Sequence, residues 1–499
     1  MTCIDTQANG ISNGAANGTV QLSDDNLLQQ VRLVVAESSE LPQNQLSDDT
    51  DFFELGLDSL QVTLIVKEPN KSLAASGVKQ VIETQTVYSN PTIIALSAAL
   101  SDLLHGKDIK SIDTDEDKMK RLYETYAANM PVSGRSPCSK PTSGSVVLLT
   151  GSTGSLGSYL LDSLIKNKKV SHINCLIRGN NAHERQTASQ ASKGLQPLSE
   201  KVTCLHANLT EPFFGLSKEE YKRILEQTTE IIHNAWQVDF NMSISSFTNQ
   251  IAIVRRFIDF SAHSTHGAKI VFISSVSAVG GMFGIASERV YSDWSTPLKI
   301  GYGQSKFIAE RLLDAAANEA GIPATVIRVG QIVGPTSSAG DWPKKEWIPS
   351  LIASSKYLGA IPDSLGTGDD VDWVPVDILG NGIVKMTLNS AGSDGANVYH
   401  VTNPGVAKWG TLLPVIARYL SPDGNLRVVS YSDWVKQLEG SASDGSDLKL
   451  DLAVKLIRFF QGLTDKLEVT QALGPSPSLA NLQPIEEKDM ENWLRQWSF

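Results

Sequence analysis

The sequence predicts a multidomain chain: a small all-α bundle, then a doubly wound parallel α/β sheet, then a mixed C-terminal lobe. Three observations carry this. Apolar residues recur at helical spacing from Leu27 to about Leu104. From Val146 onward, short β-branched runs alternate with helical patterns, which means a parallel sheet covered on both faces. Beyond Pro335 the alternation loosens, and Trp342, Trp347 and Trp373 are spread through an irregular stretch with a helical end.

Composition sets the outer limits. The 499 residues are 41% hydrophobic and 19% charged, with 38 Gly and 21 Pro, which excludes collagen-like, coiled-coil and wholly disordered chains. A net charge of −11 argues against nucleic acid or an anionic membrane as partner, since phosphate binding needs clustered Lys and Arg. No apolar run reaches the eighteen or so residues that span a bilayer. Met1 to Gly18 carries no basic residue and reads as neither signal nor transit peptide. Cys3, Cys138, Cys175 and Cys204 have neither disulfide nor zinc spacing, as expected of a reduced, cytoplasmic chain without a metal site.

Residues 1–22 are polar and expected to be disordered; 23–105 form the bundle, with Leu27, Leu28, Val31, Val34 and Val35 recurring at helix spacing. Residues 106–144 read as a Pro/Gly/Ser linker with a short helix around Lys118–Ala128. Residues 145–335 form the sheet, with strands at Val146–Thr150, Ile173–Arg178, Val202–Ala207, Glu230–Asn234, Lys269–Ser274 and Ala324–Val329. Residues 336–499 form the lobe.

The first strand runs into Gly151-Ser152-Thr153-Gly154-Ser155-Leu156-Gly157 and then an apolar helix. Glycines there allow a tight turn and close approach of backbone to a pyrophosphate, which the helix amino end receives. This is a Rossmann-like dinucleotide site. The second strand ends in Arg178 rather than an acid, which favours the 2′-phosphate of NADP(H) over the ribose of NAD(H), with Arg185 as a possible second contact. Downstream, Tyr302 and Lys306 lie four apart on one helix face, 27 residues after Ser275 at a strand end. A nearby ammonium is expected to pull the phenol pKa down, and a hydroxyl at Ser275 can orient a carbonyl. His233, His263 and His266 lack ligand spacing and read as structural.

Ser275, Tyr302 and Lys306 after a glycine loop resemble the short-chain dehydrogenase/reductase superfamily. Asn234-Ala235 after the fourth strand and Arg328-Val329-Gly330-Gln331 after the sixth resemble its extended branch. That resemblance implies catalytic Ser275, Tyr302 and Lys306, with Gly151, Thr153, Gly154, Gly157, Arg178, Arg185, Asn208, Asn234, Ala235, Lys306 and Gly330 against the cofactor. Asn208-Leu209 departs from the Asp-Leu of many relatives. In the bundle, Leu55-Gly56-Leu57-Asp58-Ser59-Leu60 resembles the attachment motif of acyl and peptidyl carrier proteins, where Ser59 would carry 4′-phosphopantetheine. Pro69 is expected to end or kink the following helix early.

A carrier followed by an extended reductase resembles the thioester reductase part of fungal nonribosomal-peptide-synthetase-like enzymes and carboxylic acid reductases. The resemblance implies NADPH-dependent reduction of a carrier-bound acyl thioester to an aldehyde or alcohol in secondary-metabolite biosynthesis. It also implies a phosphopantetheinyl transferase as partner and, with no adenylation domain before the carrier, a separate acyl-loading enzyme (an adenylating enzyme or a polyketide synthase). Trp373 to Asp377 would lie near the cleft by analogy. The alternatives are a sugar-nucleotide epimerase or dehydratase, non-reductive cyclisation, which goes with loss of the tyrosine, and a silent carrier scaffold.

Overall fold

The computed structural model describes residues 26–39, 42–43, 46–53, 55, 57, 61–62, 64–67, 69–70, 82, 84–105, 114–131, 144–282, 284, 286–389, 395–443, 452–453, 456 and 482–498. The chain divides into two compact units, Met1–Lys110 and Ser111–Phe499.

The first unit is helical: α1 (Leu27–Ser39), α2 (Thr84–Ser89) and α3 (Ile93–Leu104). Leu27, Val31 and Val35 of α1 are buried, as are Leu96, Leu100 and Leu103 of α3. Thr92 caps α3 by accepting the Ala95 amide at 3.1 Å. Phe53 stacks on Tyr88 at 5.1 Å between ring centroids, and the Phe52 amide donates to Pro91 O at 2.8 Å. The Phe52-Phe53 and Tyr88–Thr92 segments around the carrier-like motif therefore pack on each other. Ser59 itself, with Gly56, Asp58 and Leu60, lies outside the described residues. Residues 69 and 70 are helical, and the end or kink expected at Pro69 falls on neighbours outside the described residues. The Asn70 side chain then bonds both backbone groups of Ile82, each at 2.8 Å.

The second unit begins with α4 (Asp115–Ala127), followed by β1 (Ser145–Thr150), α5 (Ser155–Lys166), β2 (Val170–Ile177), α6 (Ala182–Ser192), β3 (Val202–His206), α7 (Lys218–Gln227), β4 (Glu230–His233), α8 (Thr248–His263), β5 (Lys269–Ser275), α9 (Gly301–Ala320) and β6 (Ala324–Val329). Each strand expected from the sequence is present, with ends moved by a few residues at most. A seventh main strand, β11 (Asn397–Val401), pairs with β6. All pairs are parallel and the order is β11-β6-β5-β4-β1-β2-β3. The order reverses between β1 and β4, which opens a crevice at the carboxyl ends of the strands. The doubly wound α/β expectation is met.

The boundary expected at 335/336 does not separate two layers. After β7 (Ile332–Val333), α10 (Trp347–Leu358), β8 (Ala360–Pro362), β9 (Asp370–Val371) and β10 (Val374–Pro375), the chain returns to the sheet. There α11 (Val376–Asn389) packs on α5, and Val376, Leu379, Ile383 and Val401 join the sheet's core. An edge strand and a covering helix of the dinucleotide fold thus come from beyond residue 336, because β6 needs a partner and α5 an apolar neighbour.

The remaining lobe has its own core. Its tryptophans, spread through the sequence, converge: Trp342 meets Trp373, Trp493 and Trp497 at ring-centroid distances of 6.1, 5.1 and 5.0 Å. The last helix, α14 once α12 (Trp409–Leu420) and α13 (Tyr431–Ser443) are counted, spans Glu487–Trp497. It binds the loop after β7 through indole N–H bonds from Trp493 to Pro335 O (3.0 Å) and from Trp497 to Trp342 O (2.8 Å). Among the described residues no helix is long and apolar enough to cross a membrane, and no group of His, Cys, Asp or Glu could hold a metal ion.

Candidate active site

The site has two halves on either side of the switch point. In the first, Gly151 adopts φ +69°, where a side chain is strained, and an added Cβ would stand 2.9 Å from the Ala235 amide nitrogen. At Gly157 a Cβ would lie 1.9 Å from Gly151 O, so α5 can close on the turn only with glycine there. Gly154 is the N-cap of α5 and gives no side-chain cap, which leaves the first amides of the helix aimed out of the turn without a side-chain acceptor. The turn is braced from α6: Ser189 Oγ donates to Thr153 O at 2.9 Å, and Gln186 Nε2 to Ser152 O at 3.1 Å.

Thr150 joins the two strands at the crevice. Its Oγ1 accepts the amides of Asn234 (3.1 Å) and Ala235 (3.0 Å) and lies 2.9 Å from His233 Nδ1. With both lone pairs used, the hydroxyl proton points to Nδ1, so His233 is neutral and carries its proton on Nε2. Burial agrees, holding the imidazole at about 3, with the Lys306 charge acting in the same direction. Asn234 Nδ2 also donates to Gly151 O at 3.2 Å. Nothing in the sequence marked Thr150, beyond a hydroxyl ending a buried strand one residue before a glycine.

Arg178 is exposed just past the carboxyl end of β2, and Arg185, exposed on α6, donates to Arg178 O, which brings the Arg185 guanidinium to that strand end. Gly330 follows β6 and donates to Val401 O at 3.0 Å; a Cβ there would meet Thr402 Cγ2 at 2.6 Å. Asn208 fits a cofactor contact less well. Its side chain is consumed by its own turn, accepting from Thr210 Oγ1 (2.7 Å) and donating to Glu211 (2.9 Å).

The second half gathers Ser275, Tyr302 and Lys306. Ser275 ends β5, and Ser277 Oγ donates to its Oγ at 2.9 Å, which leaves the Ser275 proton free to be donated. Tyr302, in the first turn of α9, faces Ser275, whose hydroxyl acts to lower its pKa. Edges of Phe240 and Phe247 enclose its ring at 5.5 and 6.4 Å between centroids. Lys306 Nζ donates to Ile273 O at 2.7 Å and lies over the rings of Trp236 (4.2 Å) and Phe272 (4.6 Å). Trp236, in turn, donates to Ser305 Oγ at 3.3 Å, tying the Asn234-Ala235 segment to α9.

One electrostatic expectation is reversed. The Tyr302 phenol is pushed up to about 12 by burial, against the smaller opposing effect of the Ser275 hydroxyl. Lys306 is itself driven well below the usual lysine range by burial, with Glu310 acting the other way, and its nitrogen stands 5.7 Å from the tyrosine ring centroid. Desolvation therefore outweighs the four-residue spacing that suggested a depressed phenol. Ser277, Trp236 and Phe272 are parts of this half that residue spacing did not reveal.

Around it lies a buried ion pair. Arg328 and Glu310 have side chains fully excluded from solvent and meet at 2.6 Å. Ser274, beside Ser275, donates to Glu310 at 2.5 Å, and Arg328 also reaches Arg289 O at 2.9 Å.

Uncapped amides at a glycine turn beside a hydroxyl–phenol–amine cluster, on a parallel sheet of this order, give this unit the fold of an extended short-chain dehydrogenase/reductase. Residues 149–383 match the NAD-binding family described as "Male sterility protein", and residues 29–100 match "Phosphopantetheine attachment site". The chain thus joins a carrier domain, whose prosthetic group is 4′-phosphopantetheine, to a reductase domain that binds a nicotinamide dinucleotide. It is 33% identical over 496 residues to a carboxylic acid reductase of Neurospora crassa, covering 96% of this chain and 47% of that one. To adenylate-forming reductase Nps10 of Heterobasidion annosum it is 29% identical, covering 94% and 45%. The chain spans about half the length of these relatives. In fold it resembles the terminal R domain from the myxalamid PKS-NRPS pathway, with TM-score 0.62, 22% identity, and 76% of this chain and 97% of that one covered. It also resembles an archaeal thiolation-reductase di-domain, with TM-score 0.59, 18% identity, and 96% and 99% covered.

Proposed function

We propose that this chain reduces an acyl thioester held on its own carrier to an aldehyde, with NADPH as the reductant. The observation that carries the reading is the cluster of Ser275, Tyr302 and Lys306 in a unit that also has an uncapped glycine turn, in a chain that also holds a carrier domain. Ser59 is the attachment position for the pantetheine arm. The glycine turn at Gly151, Gly154 and Gly157 and the amino end of α5 fit the dinucleotide pyrophosphate, with Thr153 in the same turn. Arg178, with Arg185 beside it, fits a 2′-phosphate. Asn234, Ala235 and Gly330 line the nicotinamide side. Asn208 offers its backbone only, since its side chain is committed.

Reduced nicotinamide supplies hydride when bound. Ser275 and Tyr302 act on the thioester oxygen: each has a proton to donate, and both are fixed before substrate arrives. A phenol held near 12 stays protonated throughout the working range, so Tyr302 serves as proton donor rather than base. Lys306 is fixed by Ile273 O and two aromatic faces, with further N–H donors for a ribose hydroxyl. Collapse of the resulting hemithioacetal frees the aldehyde and returns the thiol to the arm. A second round would give the alcohol. The acyl group comes from an acyl-activating or chain-building step, the chemistry named in adenylate-forming and polyketide synthase relatives. Attachment of the arm falls to a phosphopantetheinyl transferase.

The test is NADPH absorbance after modification of Ser59 and loading with a panel of acyl groups. Oxidation that vanishes in both Ser59→Ala and Tyr302→Phe is expected. Oxidation that survives Ser59→Ala with no loaded carrier supplied in trans, or no oxidation across the panel, contradicts the proposal.

A further inference from the structure

Helix α4 lies in the stretch that sequence reading made a linker, and neither family match, 29–100 or 149–383, includes it. It is built and held as a fixed element. Thr114 and Asp117 form a reciprocal capping box at its start. Met119 is buried where the helix packs on α8 and α9.

Three side chains of the reductase unit clamp it. At its amino end, Gln304 Nε2 donates to Asp115 Oδ2 at 3.2 Å. Gln304 is two residues past Tyr302, in the first turn of α9. In the middle, the Arg311 guanidinium lies over Tyr123 (4.5 Å) and Trp294 (4.2 Å). At its carboxyl end, Arg255 donates to the carbonyls of Tyr126 (2.7 Å), Ala128 (2.6 Å) and Asn129 (2.7 Å). The Tyr126 and Ala128 carbonyls are ones that the helix end leaves without intrahelical partners, and Asn129 follows the cap. A passive connector has no need of a dedicated arginine satisfying its helix end.

We infer that α4 is a tether anchor. It fixes the point from which the carrier is delivered beside the amino end of α9, and so sets the rate of the intramolecular reaction without taking part in the chemistry. The inference rests on the thioester-reductase reading above. Its magnitude follows from chain length. From the end of α3 at Leu104 to Thr114 there are about 10 peptide links, a maximum span of roughly 35 Å; to the start of β1 at Ser145 there are about 41, or roughly 140 Å. Effective concentration falls roughly as the −3/2 power of tether length, so freeing α4 lowers it about eightfold.

The variant Met119→Ser/Tyr123→Ala combined with Arg255→Ala removes the buried contact and two of the three clamps and leaves every residue of the proposed site in place. Two rates are compared in full-length chains with NADPH. The cis rate is the concentration-independent single turnover of an acyl-loaded chain. The trans rate is second order, between a loaded Tyr302→Phe donor and a Ser59→Ala acceptor that carries the anchor variant. The cis-to-trans ratio is expected to fall about eightfold while the trans rate stays within about twofold. Inserting 30 Gly/Ser residues after residue 110 in both backgrounds should shrink the effect of the variant to about twofold, because α4 then removes a smaller share of the tether. An unchanged ratio overturns the inference. So does a trans rate that falls as far as the cis rate, since the helix would then support the site itself. A wild-type chain that reduces neither in cis nor in trans overturns the thioester reading, and the inference with it.

Discussion

Replacing Thr150 by valine tests the junction between the glycine turn and the Asn234-Ala235 segment. Valine matches threonine in shape, so no cavity opens, and the change is confined to the hydroxyl. Lost are acceptor bonds at 3.1 and 3.0 Å from two amides and a contact at 2.9 Å to His233 Nδ1. Thr150 and His233 are buried, whereas Asn234 and Ala235 are half-buried. An unsatisfied buried group costs about 1–3 kcal/mol, so the imidazole bears that in full and the two amides, which water can reach, bear less. The expected destabilisation is roughly 2–4 kcal/mol. All nine tryptophans lie beyond residue 235, so urea unfolding followed by their fluorescence reports on this unit. The KM for NADPH should rise about tenfold with kcat little changed, as expected when roughly 1.4 kcal/mol of binding is lost. A destabilisation below about 0.5 kcal/mol, or a loss in kcat alone, refutes the reasoning.

Three further outcomes follow from the same structure. Glu310→Gln leaves Arg328 charged and excluded from water, and should cost about 3–5 kcal/mol in the same unfolding assay, part of which Glu310→Gln/Arg328→Met recovers. Burial raises Glu346 from 4.5 to about 7, against the smaller effect of the Trp342 indole bond. Its folded-state value lies above the unfolded one, so its contribution is present below pH 4.5 and is lost as pH rises through 7. Glu346→Gln should flatten that decline and be more stable at pH 8 by up to roughly 3 kcal/mol, as read from stability measured across pH. Arg178→Ala should raise the KM for NADPH tenfold or more and leave that for NADH nearly unchanged, since a charge-assisted bond to the 2′-phosphate is worth about 1.5–3 kcal/mol; equal effects on both cofactors would remove Arg178 from the 2′-phosphate.

Local pattern made the sheet legible. β1 to β6 are runs of apolar, often β-branched residues closed by Gly, Asn or Ser, and these are signals carried within a few residues. β11 was missed because Asn397-Val398-Tyr399-His400-Val401 is a half-polar edge strand, identified only by its pairing with β6. The tryptophan cluster was illegible for a related reason: Trp342 and Trp497 are neighbours only once α14 has folded back. In the site, order and spacing along the chain placed Ser275, Tyr302 and Lys306 within one cluster. Spacing could not give their electrostatics. Tyr302 shifts upward because aromatic walls from Phe240 and Phe247 remove water, and those walls come from another loop and helix. Helix α4 was seen as a helix but read as tether, because the residues that clamp it are Arg255, Gln304 and Arg311, all more than a hundred positions downstream.

The most direct test of the thioester-reductase account follows one deuterium. The chain, modified at Ser59 and acyl-loaded, is mixed with NADPH carrying deuterium at the transferred position, and the intact protein mass and released products are measured together. The account predicts that the acyl mass leaves Ser59 as the free pantetheine thiol returns, with one equivalent of aldehyde bearing a single deuterium at its carbonyl carbon. Released carboxylic acid, a cyclised product without deuterium, or an acyl group that stays on Ser59 while NADPH is consumed would contradict it.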